Sequence, residues 1–252
     1  MIKFFVEQDA VAGSEIYIEK KEDIKHLTKV LRAKPGDTVC ISDGGDWEYE
    51  TEITKIEDMC VTLKIIDKQK PAREPNTRVT LYQGIPKASK METIIQKTVE
   101  LGVDSIVPVF MERTVVTDKG QFDKKLQRWQ KISDEAVKQC KRSRIPEVRK
   151  QISFAEAVKE ISGEGEYDLV ICPYENEDNR TMKDCLRETA AHKPSKIAVI
   201  IGPEGGFSDK EIQLLKEATA DKAQLVTLGK TILRTETAGL AALAMIMYEL
   251  EL

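Results

Sequence analysis

A change of period near residue 78 constrains this chain more than any single residue does. From there on, short apolar runs alternate with helical ones. RVTLYQG (78–84), SIVPVF (105–110), YDLVICP (167–173), KIAVIIG (196–202) and LVTLG (225–229) read as strands. Helical stretches fall between them: one from Ser89, a long basic one, one after Asn179 and one from Ser208. In the first of these, Met91, Ile94, Ile95, Thr98 and Val99 share one face and Gly102 stops the helix. Ser89 with Glu92, and Ser208 with Glu211, have the spacing of capping boxes. Such alternation predicts an α/β domain with a mostly parallel sheet, because a crossover helix is what returns the chain to start a parallel neighbour.

The residues before the change follow a different rule. IKFFV (2–6), EIYI (15–18), DTVCIS (37–42), WEYETEITKI (47–56) and CVTLKII (60–66) are strand-like, with turn signals at Pro35-Gly36 and Gly44-Gly45 and one helical stretch, EDIKHLTKVLR (22–32). A small barrel-like β domain over 1–72 is expected, followed by a domain over 73–252, with DKQKPAREPNT (67–77) as the linker. The last helix, TAGLAALAMIMYEL (237–250), is small or apolar almost all round. Either a second chain covers its far side or the helix runs through the core.

Charge is distributed unevenly. The net charge of -4 comes from residues 1–72, which hold 11 Lys and Arg against 15 Asp and Glu. The segment 124–150 instead holds 10 basic and 3 acidic residues, enough local excess to attract a polyanion. Five scattered cysteines without a C-x-x-C pair read as reduced thiols, and neither a signal peptide nor an apolar run of membrane length is apparent, so a cytoplasmic protein with no membrane association is expected. His26 and His192 lack partners at ligand spacing, so no metal is expected.

The loop IGPEGGFSDKEI (201–212) first suggests a phosphate cradle. A Walker loop requires a lysine after its last glycine, whereas Phe207 and Ser208 follow here. A dinucleotide fingerprint opens the first βαβ unit; this cluster lies late and carries Glu204, which repels a pyrophosphate. Its open peptide groups suit an uncharged heterocycle such as adenine, although on the glycines alone a merely structural turn between strand and helix is the favoured reading. A second segment, LVTLGKTILRTETAGLAAL (225–243), again ends a strand in glycine, at Gly229, and then presents Ile232 to Thr237. Two such loops can face each other across one pocket.

Taken together, IGPEGGFSDKE and LGKTILRTETA resemble the motifs of the 16S ribosomal RNA uracil-N3 methyltransferase family, within the SPOUT superfamily. HLTKVLR (26–32), KASKMETIIQKTVELGV (87–103), Glu112-Arg113 and RWQKISDEAVKQCKRSRIPEV (128–148) extend the resemblance along most of the chain. It implies a PUA-like RNA-binding barrel, an α/β domain tied in a deep trefoil knot, and a homodimer using S-adenosyl-L-methionine on 16S ribosomal RNA or the small ribosomal subunit. It also implies that Pro173, Ile201, Gly202, Glu204, Gly205, Leu228, Gly229 and Leu233 surround the cofactor. A non-enzymatic ribosome-binding protein is the rival reading.

Methyl transfer to N3, on the Watson-Crick edge, needs an unpaired or flipped uridine whose N3 proton is lost. Arg234 is the candidate to orient the uracil or stabilise its charge, and Glu236 to organise the loop; a salt link between the two is the architectural alternative. Glu204 is either a proton acceptor or a loop anchor. Arg32, Arg113, Arg142 and Arg144, with Lys87 and Lys90, are the candidates for gripping RNA. Lys3 stands where the family pattern leads us to expect arginine, and Cys172 reads as strand packing.

Overall fold

The structure, a computed structural model, describes residues 3–117, 120, 122–163, 165–220 and 222–251; Ile2 of the first expected strand lies outside them. It divides into two units: Met1–Glu74 with Val137–Ile145, and Pro75–Ala136 with Pro146–Leu252. The second piece of the first unit, 137–145, belongs to the segment expected to be a basic helix.

In the first unit the strands are β1 (Lys3–Phe5), β2 (Val11–Ala12), β3 (Glu15–Ile18), β4 (Thr38–Ser42), β5 (Glu48–Ile56) and β6 (Val61–Gln69), with helix α1 at Lys21–Lys25. They form one curled sheet in the order β1-β4-β5-β6-β3-β2, antiparallel except for β1 with β4. Alternation along the strands aims Ile16, Ile18, Val39, Ile41, Ile53, Val61 and Leu63 at a common core. The helix expected over 22–32 forms in two parts. Past Lys25 it widens into a π turn at His26–Val30, closed by the Leu31 N–H on the His26 carbonyl, and ends at Arg32 with φ of 54°.

The expected linker is partly strand and partly anchored. β6 runs on to Gln69, and Glu74 is a buried hub. Its carboxylate accepts from the Arg142 guanidinium at 2.8 Å and from the N–H groups of Ser143 and Arg144 at 2.7 and 3.0 Å. Lys3 donates to the Glu48 carboxylate and to Ser143 Oγ, so this lysine is committed to the same loop.

In the second unit β7 (Arg78–Gly84), β8 (Ser105–Phe110), β9 (Glu147–Val148), β10 (Ile152–Ser153), β11 (Leu169–Pro173), β12 (Lys196–Ile201) and β13 (Ala223–Val226) form one sheet. The order is β10-β8-β7-β12-β11-β13, with β9 also on β8, and every pair is parallel. The helices are α2 (Lys90–Glu100), α3 (Phe122–Cys140), α4 (Phe154–Ile161), α5 (Met182–Ala190), α6 (Asp209–Thr219) and α7 (Thr235–Glu251). α4 and α6 pack together, and α7 packs against α2 and α5 as well as β7 and β12. Ala198 and Ile200 of β12 join the α4–α6 core, and Ile201 approaches Gly239 of α7, so this strand is covered on both sides.

Two local expectations change. Ser208 and Glu211 do form the capping box of α6, but Ser89 does not cap α2: its φ/ψ of -88° and 9° are not extended, and its hydroxyl makes no cap bond. Glu92 pairs instead with Arg128 at 2.9 Å. The capping box missed in the sequence is Ser153 with Glu156, which starts α4. Cys172 is fully buried in β11, and burial pushes its thiol pKa up, as packing rather than nucleophilic chemistry requires.

The Glu74 hub generates a stability prediction. Burial opposes ionisation of Glu74 most strongly, yet the Arg142 guanidinium and the two N–H groups outweigh it and hold the carboxyl below its ordinary pKa. A depressed folded-state pKa stabilises fully above the ordinary carboxylate range, and that contribution disappears as pH falls through the folded value. Glu74→Ala should therefore cost about 3–5 kcal/mol at neutral pH, since it strands a buried guanidinium. Urea denaturation at pH 7 and below about pH 4 should show the gap between variant and wild type narrowing in acid.

Candidate active site

Three neighbouring parallel strands, β12, β11 and β13, end side by side, and open α/β sheets bind ligands at such carboxyl ends. A cavity of about 610 Å³ lies there. Pro173 comes from the end of β11, Ile201, Gly202, Glu204 and Gly205 from the loop after β12, and Leu228, Gly229 and Leu233 from the loop after β13. The structure thus brings all eight expected residues to one place. Arg234 lines the same space, and so does Lys90 from the start of α2.

Sequence reading missed part of this wall. Tyr174, Glu175 and Asp178 follow β11 directly, and Lys230, Thr231 and Thr235 complete the last loop. Position after a strand end was the available signal for the first three. Glu175 and Asp178 place carboxylates on a wall that also holds the cations Lys90, Lys230 and Arg234, and no lysine or arginine stands between Gly202 and Ser208.

A buried hydrogen-bond relay fixes the loop. Gln83 Nε2 donates to Thr235 Oγ1 at 2.9 Å, and Thr235 Oγ1 donates to the Gly202 carbonyl at 2.6 Å. Both side chains are sequestered, so β7, the end of β12 and the first residue of α7 are tied at one point. Outside the loop, Arg113 Nη1 donates to the Gly205 carbonyl at 2.8 Å. Ser208 Oγ donates to Glu112 at 2.8 Å, and the Glu112 N–H donates to Glu211 at 2.8 Å.

The charged groups sort into two sets. Lys90 Nζ bridges Glu204 at 3.0 Å and Glu236 at 3.1 Å, and the Lys87 N–H also donates to Glu204 at 3.0 Å. Burial works against ionisation of Glu204 most, but Lys90 and the backbone donors prevail and hold the carboxyl below its usual range; Glu236 is held low in the same way, with Arg234 adding to the effect. The two carboxylates in turn raise the Lys90 pKa. Arg234 makes no ion pair among the described residues, so the salt link with Glu236 is not formed.

The candidates for gripping RNA separate as well. Arg32 and Lys87 are exposed, whereas Lys90 and Arg113 are engaged with the cavity loops. Arg144 pairs with Asp46 at 2.8 Å. Arg142 is corrected outright: it is 5% exposed and its guanidinium is committed to Glu74, so no fork faces solvent. No group of residues fit to hold a metal occurs among the described residues, and no helix is long and apolar enough to cross a membrane.

Comparison with known proteins places this geometry. The model of the RNA methyltransferase domain matches residues 73–247, and that of the RNA methyltransferase PUA domain matches 18–66. The chain belongs to the RNA methyltransferase family. It is 31% identical to the ribosomal RNA small subunit methyltransferase E of Bacillus subtilis, over 100% of this chain and 98% of the relative. With the protein of the same name from Synechocystis it shares 32% identity over 90% of this chain and 71% of the relative. The solved Neisseria gonorrhoeae ribosomal RNA small subunit methyltransferase E, bound to S-adenosyl methionine, superposes with a TM-score of 0.80 at 32% identity, covering 98% and 97% of the two chains. The family expected from the two loops is therefore the one found, and its enzymatic character outweighs the non-enzymatic alternative.

Gly84 shows how tightly the loop is seated. A Cβ there would stand 2.5 Å from the Pro203 nitrogen and 2.8 Å from the Gly202 carbonyl carbon, both backbone atoms. Gly84→Ala must push the end of β12 away from β7. It is expected to destabilise the protein by about 1–3 kcal/mol in chemical denaturation, with a disordered loop rather than a shifted core as the visible change.

Proposed function

We propose that this chain transfers a methyl group from S-adenosyl-L-methionine to N3 of a specific uridine in 16S ribosomal RNA. The cavity at the ends of β11, β12 and β13 carries the reading, together with membership of the family. Its lining fits the cofactor: a glycine loop without a phosphate-binding cation, open peptide groups for adenine and ribose, and carboxylates beside them for a positively charged sulfonium. Pro173, Ile201, Gly202, Gly205, Leu228, Gly229 and Leu233 are the residues proposed to hold it. When bound, the cofactor supplies an electrophilic methyl group.

The chain's own side chains divide the remaining work. Arg234 lies at the cavity without a carboxylate partner among the described residues, so its guanidinium is available to the oxygens of an incoming uracil, where it favours the anionic base as the N3 proton leaves. Glu204 and Glu236, both held ionised by Lys90, anchor the two loops against α2. A carboxylate with a depressed pKa is a weak base, so Glu204 serves as an anchor rather than as the proton acceptor. Arg32, Lys87 and Arg113 remain candidates for contacts to RNA phosphates, whereas Arg144 is committed to Asp46.

The reading includes the cytoplasmic location, trefoil knot and homodimer that the family resemblance implies. One observation supports the dimer: Tyr248 on α7 is 71% exposed, and Ala244 and Met245 beside it are also open. A second copy would cover this apolar strip. Tyr248→Glu should leave the fold intact and convert a two-chain species to a single chain in light scattering; an unchanged mass would remove the face from the interface.

Mass spectrometry of nucleosides from ribosomal RNA treated with the protein tests the reaction, with a uridine carrying one extra methyl at N3 as the expected product. Arg234→Ala should lower kcat by about 10²-fold, the usual effect of removing one charge-stabilising donor, while calorimetry shows cofactor affinity unchanged. Full methylation by the variant would overturn the role given to Arg234.

A further inference from the structure

Far along the first unit's sequence from the family's loop motifs, one surface feature is unused by the proposed reaction. Trp47 stands at the start of β5, half-exposed, whereas the chain's other tryptophan, Trp129, is in the core. Lys68 and Lys70, at the end of β6, both rest on the Trp47 ring, with Nζ 4.0 and 4.4 Å from its centroid. Neither lysine has a carboxylate partner among the described residues.

Strand alternation explains how the group is assembled. Tyr49 opposes Lys68 and Glu48 opposes Gln69 in the β5–β6 ladder, so Trp47, Tyr49, Lys68 and Lys70 share one face of the ribbon. Glu48, Glu50 and Asp67 take the other face. Tyr49 is buried in the core, so what this face presents is the partly buried Trp47 with the exposed Lys68 and Lys70. The Trp47 backbone is rigid: its N–H donates to Asp43 Oδ1 at 3.1 Å, and its carbonyl accepts from the Asp43 N–H at 3.2 Å. Beside it, Asp46 holds Arg144 at 2.8 Å, a pair that adds no net charge.

A fixed, partly open indole bordered by unpaired lysines is the chemistry that binds single-stranded nucleic acid, by stacking a base and neutralising its phosphates. We propose that Trp47, Lys68 and Lys70 form a platform for an unpaired RNA nucleotide, the base taking the indole face as the two ammonium groups move onto the backbone. The proposal rests on the RNA-directed reading above, and commits it to a site on the first unit that binds single strands in preference to duplex.

The test measures binding of a short fluorescent single-stranded oligouridine, roughly eight nucleotides long, to the full chain by anisotropy. Trp47→Ala should weaken binding by about tenfold or more, and Trp47→Phe should retain most of it. Lys68→Gln with Lys70→Gln should flatten the salt dependence by about 1.4 in log–log slope, the share of two phosphates on a single strand. Trp47 also packs on the core, so circular dichroism monitors its variants, and the lysine pair provides a test that leaves the core alone. Wild-type affinity in Trp47→Phe and loss of affinity in Trp47→Ala is the signature of stacking. Unchanged binding in Trp47→Ala, equal affinity for a duplex of the same length, an unchanged salt slope in the lysine pair, or equal displacement by polyglutamate would each overturn the platform. Cofactor affinity, measured in parallel, should be unchanged in every variant. Failure of the wild type to bind cofactor or methylate RNA would defeat the functional reading without touching the platform, so the two can fail separately.

Discussion

The Gln83–Thr235–Gly202 relay is the contact on which the site depends. Its three members come from the end of β7, the first residue of α7 and the end of β12, elements up to 152 residues apart. The relay is buried, so loss of any one donor would strand its partner without water to replace it. Gly84 and Gly239 serve the same junction by omission: the first lets Pro203 cross β7, and a Cβ at the second would stand 3.2 Å from Gln83 Oε1. The direction of the Gly202 carbonyl is thus set by a side-chain hydroxyl behind the loop.

Electrostatics at the mouth of the cavity complements that rigid floor. Lys90 is spent on Glu204 and Glu236, which closes α2 against both cavity loops and keeps the two acids ionised. The consequence is an asymmetry between neighbours in sequence: Glu236 is neutralised by a residue far away, and Arg234, two positions earlier, has no ion-pair partner among the described residues. A salt link between them would have cancelled both charges. Lys90 therefore does for the loop what an Arg234–Glu236 pair, the architectural alternative, could not do without consuming the arginine.

Much of this was legible in the sequence because strand ends and glycines report on local geometry. RVTLYQG, YDLVICP and KIAVIIG fell within a residue or two of β7, β11 and β12, and the second capping box was read correctly. The failures have physical causes. Ser89 and Ser153 share the same S-x-x-E spacing, but only Ser153 enters its helix from an extended backbone; spacing does not encode ψ. The strand order, with β12 set between β7 and β11, was out of reach, since it depends on contacts across more than a hundred residues. The relay was hidden for the same reason: Gln83 looks like any polar residue at a strand end until Thr235 is beside it.

The basic stretch 124–150 shows most clearly why charge in a sequence is not charge on a surface. Its four arginines are all engaged: Arg128 with Glu92, Arg142 with Glu74, Arg144 with Asp46 and Arg149 with Glu160. A planar fork meets a carboxylate in a fixed geometry, so arginine is the cation that folding recruits first. Lys124, Lys125, Lys131, Lys138, Lys141 and Lys150 are left exposed, and these are point charges on mobile stems. The stretch thus retains its long-range pull on a polyanion but loses the groups that could read a phosphate's shape. Arg234 at the cavity differs from all four: it is exposed and makes no ion pair among the described residues, so its fork has not been taken up by a carboxylate.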